Sequence, residues 1–63
     1  MVAIEIRKIL LDEGLSIQEL ADRCGWKNTT LYAKLRRDNF TIQEMDAIAK
    51  ALDRRLEIAF VKG

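Results

Sequence analysis

The 63-residue chain predicts a small, mainly all-α domain of four to five helices with a β-strand at its C-terminal end. Three observations carry this. The first residues have the apolar stripe of an amphipathic helix, two later segments open with the same helix-start chemistry, and the final segment changes to a period of two.

In the first segment, residues 2–13, Val2, Ile6, Ile9 and Leu10 fall at i, i+4, i+7 and i+8 with charges between them, the stripe of a helix with one buried side. Gly14 stops it, because a glycine readily takes the left-handed conformation that ends a helix. A second helix starts at Ser16. The Ser16 hydroxyl can cap the Glu19 amide while the Glu19 carboxylate reaches back, and Leu15 and Leu20 flank this capping box at the spacing of a hydrophobic staple. It ends at Gly25, so it is too short to stand without tertiary support.

A third helix is predicted over 28–37, with Leu31 and Leu35 turned inward and its other faces polar. Its N-cap is Lys27 or Asn28, asparagine being the better capping side chain. Asp38 and Asn39 make the following turn. Thr41 and Glu44 then form a second capping box inside a second staple, Phe40 and Met45, and open a fourth helix with Ile42, Met45, Ile48, Ala49 and Leu52 inward. The likeness of the two starts is too short for a repeat architecture.

Over 56–61, Leu56, Ile58 and Phe60 alternate with Glu57, Ala59 and Val61, which reads as a strand; a fifth helical turn or a frayed tail are the alternatives. A lone strand leaves its backbone unpaired, and its natural partner is the same strand of a second copy across a two-fold axis.

Composition narrows the function. A domain this short buries roughly 60% of its unfolded surface, so its core is thin. One cysteine, Cys24, permits no internal disulfide, and the absence of histidine removes zinc-finger spacing. The first residues carry Glu5 among apolar side chains and do not read as a signal peptide, and no run is long enough to span a membrane, so the expected location is the cytoplasm. Without histidine, a glycine-rich phosphate loop or paired carboxylates in a cleft, neither an enzyme nor a cofactor is expected. The net charge of +1 conceals an uneven distribution: residues 22–37 hold five cations, Arg23, Lys27, Lys34, Arg36 and Arg37, against one anion. That stretch is the one concentrated positive field, and the other segments stay within two charges of neutral.

Two short helices joined by a glycine-containing turn, the second with a free polar face in the basic stretch, describe a helix-turn-helix. Leu15-Ser16, Glu19-Leu20-Ala21, Gly25 and Thr29-Thr30-Leu31 resemble the phage repressor and Cro-type helix-turn-helix family over nearly the whole chain. Each residue has a physical reason to be there. Ala21 is small where the helices cross, Gly25 supplies the turn, and Leu20, Cys24, Trp26, Leu31 and Leu35 close the core. Directly after the turn glycine, Trp26 reads as core rather than as a base-stacking ring, and Cys24 as a small hydrophobe.

The resemblance implies a single repressor-like DNA-binding domain over 1–63, with the helix-turn-helix at about 16–37; the alternating segment at about 56–61 is expected to serve as its dimerisation strand through Leu56, Ile58 and Phe60. The helix over 28–37 would enter the major groove of duplex DNA. Asn28, Thr29, Tyr32 and Ala33 would meet base edges; asparagine can bind adenine bidentately and a threonine methyl can touch thymine. Thr30 falls toward the helix junction. Lys27, Lys34, Arg36 and Arg37 would hold phosphates, and Gln18 would join them, since Ile17 stands where many members of the family carry a phosphate-binding glutamine. The function implied is transcriptional regulation, as a repressor, by a homodimer on a palindromic operator. The alternative is the antitoxin half of a toxin–antitoxin pair, with a cognate toxin as a further partner.

Overall fold

A computed structural model describes residues 2–57 of the chain. It contains four helices: α1 (Val2–Glu13), α2 (Ile17–Cys24), α3 (Asn28–Arg37) and α4 (Ile42–Ala51). Helices α2 and α4 open as their sequences predict. Ser16 Oγ accepts from the Glu19 amide at 3.0 Å and Glu19 Oε1 accepts from the Ser16 amide at 2.9 Å. Thr41 and Glu44 repeat the exchange at 3.1 and 2.8 Å. Each box satisfies two amides that helix geometry alone leaves without partners.

All four helices end in the same way. Gly14, Gly25, Asp38 and Asp53 have φ of 66°, 74°, 53° and 56°. The amide after each bonds back to the carbonyl five residues earlier: Leu15 to Leu10, Trp26 to Ala21, Asn39 to Lys34 and Arg54 to Ala49, at 2.8–3.2 Å. This is the Schellman closure. The sequence predicts the glycine ends; the aspartate ends follow from the tolerance of that residue for the left-handed region.

Helix α2 packs against α3 and α4, and α1 packs against α3. The core comprises Ala3, Ile6 and Leu10 of α1, Leu20 and Ala21 of α2, Leu31 and Leu35 of α3, and Ile48 and Leu52 from α4 and its end. Leu20 and Leu31 are fully buried, which contributes about 1.5–3 kcal/mol each. Trp26 and Cys24 are half-buried and pack on this core, as the sequence suggests. Burial also pushes the Cys24 thiol pKa up, away from the reactive thiolate.

Three expectations need correction. Ile42 is 61% exposed rather than inward, because the apolar side of α4 is centred on Ile48, six positions and thus about 240° further round. Lys27, not Asn28, holds the N-cap position of α3, and no side chain caps that helix. Thr30 is exposed rather than turned toward the helix junction, which Leu31 and Ala21 fill. The strand predicted over 56–61 falls outside the described residues from Ile58 onward; within them, Leu56 and Glu57 are in no regular element.

Candidate nucleic-acid interface

The helix-turn-helix is built on the α2–α3 crossing. Ala21 is completely buried there, and Leu20 and Leu31 close the crossing from either helix. With Leu31 and Leu35 committed inward, the rest of α3 is left to solvent: Asn28, Thr29, Tyr32, Arg36 and Arg37 are exposed and Ala33 is half-buried. Tyr32 keeps 50% of its surface.

Thr29, Tyr32, Ala33 and Arg36 line one open hollow, and its fifth wall is Arg7 of α1. Three of the four residues predicted to meet base edges therefore share a surface, with a guanidinium from each of two helices on it. Asn28 is exposed on the first turn of the same helix, outside that hollow. Arg7 lies outside the basic stretch and is missed by a charge count along the chain; the sequence signal for it is its place directly after Ile6, at the border of the apolar stripe of α1.

The cations of the basic stretch separate in space. Lys27, Arg36 and Arg37 are exposed and make no ion pair among the described residues. Lys34 is half-buried, and its ammonium pairs with Glu44 of α4. Arg23 faces elsewhere, donating at 3.2 Å to the Ala51 carbonyl at the end of α4, where a cation complements the helix dipole. The concentrated field read from the sequence is thus smaller by Arg23 and larger by Arg7. Gln18 is exposed on the first turn of α2, while Ile17 packs against the core.

Two carboxylates are tuned by these contacts. The Lys34 ammonium, followed by the Thr41 amide, holds Glu44 below the usual glutamate range. The Ser16 amide and hydroxyl do the same for Glu19. Among the described residues no cluster of three metal-ligating side chains occurs, and no helix is long and apolar enough to cross a membrane.

A short helix, a glycine turn and a second helix with an outward polar face flanked by cations define a helix-turn-helix DNA-binding protein. The model of the Cro/C1-type HTH DNA-binding domain matches residues 5–57, and the chain belongs to that family. The match runs from α1 through α4, so it takes in the helices that support the site as well as the site itself. Comparison with curated proteins and with solved structures gives no match. As a member of the family, the chain is a DNA-binding transcriptional regulator.

Proposed function

We propose that this protein is a cytoplasmic, sequence-specific repressor that binds a palindromic operator as a homodimer and catalyses no reaction. The observation that carries the reading is the hollow on α3, where Thr29, Tyr32 and Ala33 present a hydroxyl and methyl, a phenol and a methyl on one exposed surface. These groups suit the edges of base pairs in a major groove. Asn28 joins them as a base reader, and Gln18, Lys27, Lys34, Arg36 and Arg37 hold phosphates on the two flanking strands. Lys34 does so with the donors that Glu44 leaves free.

One module reads only a few base pairs, and two related by a two-fold axis fill successive major grooves about 34 Å apart. An apolar groove of about 540 Å³ between α1 and α4 supports the dimer; Val2, Ile6, Ile9, Met45, Leu52 and Leu56 are in its lining. Leu56 is two residues before Ile58 and four before Phe60 in sequence, so pairing of the 56–61 segments of two copies would bring further apolar side chains toward the groove it lines.

Selection of bound sites from a pool of random duplexes tests the reading. A two-fold symmetric consensus is expected, with half-sites one helical turn apart. Recovery of no consensus would overturn sequence-specific recognition, and an asymmetric single site would overturn the dimer.

A further inference from the structure

Helix α1 carries an arginine at the edge of the recognition surface. Arg7 is exposed, makes no ion pair or hydrogen bond among the described residues, and shares a hollow with Thr29, Tyr32, Ala33 and Arg36 of α3. Its place is held from one turn away. The Ala3 amide donates to Asp38 Oδ1 at the far end of α3, which fixes the start of α1 against the end of that helix. Ile6 and Leu10, on either side of Arg7 in sequence, are buried in the core. The backbone that presents the guanidinium is therefore rigid, and only the side chain is free.

The dimensions of the duplex decide what such a group would meet. A helix with its side chains is about 10–12 Å across, and the major groove is about 12 Å wide. Once α3 occupies the groove, a second helix cannot enter beside it. Helix α1 then lies at the lip, where the wall is the phosphodiester backbone. A guanidinium presents a planar fork of donors that matches two phosphate oxygens.

We propose that Arg7 is a phosphate-binding residue, holding one backbone phosphate of the duplex at the edge of the groove that α3 fills. This rests on α3 being the groove-entering helix. It adds a clamp from α1 on the side of α3 marked by the hollow, where Arg36 stands as the cation of α3 itself.

The test measures affinity against salt concentration, by fluorescence anisotropy, for two probes: a random-sequence duplex and a duplex recovered by selection with the wild-type chain. Arg7→Ala is compared with Lys8→Ala, which removes an equal charge from the neighbouring exposed position outside the hollow. Arg36→Ala serves as the reference for α3. Losing one phosphate contact should flatten the slope of log affinity against log salt by about 0.9. That change is expected for Arg7→Ala on both probes and for Arg36→Ala, with Lys8→Ala at the wild-type slope and Arg7→Lys recovering part of the loss. Circular dichroism should report unchanged folding, since Arg7 supports no contact in the core.

An unchanged slope for Arg7→Ala beside a reduced one for Arg36→Ala overturns the inference alone. Equal losses in Arg7→Ala and Lys8→Ala would reduce it to general charge, and a loss confined to the selected duplex would replace the phosphate by a base. Should Arg36→Ala also keep the wild-type slope, the docking of α3 beneath the inference fails with it.

Discussion

The amide of Ala3 donates to Asp38 Oδ1 at 2.8 Å, across 35 positions of sequence. The carboxylate that follows α3 thereby caps the first turn of α1, and the same residue closes α3 in the left-handed region at φ 53°. Asp53 ends α4 with almost the same backbone, at φ 56°, and no side-chain hydrogen bond is found for it among the described residues.

Glycine at these two aspartates should separate the cap from the turn. Asp53→Gly relieves a left-handed non-glycine residue and should raise stability by roughly 0.5–1 kcal/mol. Asp38→Gly gives the same relief but removes the cap on Ala3, worth about 1 kcal/mol, so it should be neutral or destabilising. Urea midpoints of both variants decide the point. Equal shifts would mean that the Ala3–Asp38 bond contributes nothing.

Recognition and stability should divide cleanly at the start of α3. Because no side chain caps this helix, Asn28→Ala and Thr29→Ala should change folding stability by less than about 0.5 kcal/mol. Each should weaken binding to the selected site by about 1–3 kcal/mol while leaving random duplex unaffected. Retention of wild-type preference in both variants would remove these residues from the reading surface.

Glu44 should restrain a phosphate-binding cation. Lys34 is partly neutralised by it, so Lys34→Ala should flatten the salt slope by less than the about 0.9 expected of Arg36→Ala and Arg37→Ala. Glu44→Gln frees the ammonium and can keep the capping box, since glutamine serves there too. Binding to random duplex should tighten. Weaker binding by Glu44→Gln would show that the pair instead orients Lys34 for its contact.

Acid should act on the capping boxes. Glu44, through Lys34 and the Thr41 amide, and Glu19, through the Ser16 amide and hydroxyl, both titrate lower folded than free. A depressed carboxylate stabilises the fold fully above its unfolded value of about 4.3, and that contribution disappears as pH falls through the folded value. Urea midpoints should be flat above about pH 5 and decline below it. The decline should be shallower in Glu19→Gln and Glu44→Gln, and a profile identical to wild type in both would mean that these contacts do not couple to folding.

Dimerisation should depend on the residues after Arg55. A chain ending there lacks Leu56, which lines the α1–α4 groove, and also lacks the apolar Ile58 and Phe60 that follow it in sequence. It should sediment as a monomer or fold poorly, and bind palindromes no better than half-sites. Ile58→Pro should act similarly by removing a ladder donor. Sedimentation equilibrium checks this: a truncated chain that still dimerises and binds palindromes normally would exclude the C-terminal segment as the contact.

Much of this fold was legible in the residues because the signals involved are local. The boxes Ser16–Glu19 and Thr41–Glu44 act over three residues, the stripe through Ile6 and Leu10 over four, and Gly25 through its own φ. They fix where α1, α2 and α4 begin or end and which span forms the helix-turn-helix. The partners of side chains reaching between helices were decided only by tertiary structure. Whether Asp38 caps Ala3, Lys34 meets Glu44, Arg23 turns to Ala51 or Arg7 borders Thr29 depends on how four short helices cross. The crossings are set by burial of Leu20, Ala21 and Leu31. Burial is non-directional, so an apolar stripe says that a helix must pack without naming the surface it packs against. Ile42 shows the width of such a stripe instead: it lies about 120° round α4 from Ile48, at the edge of the apolar side, and stays exposed.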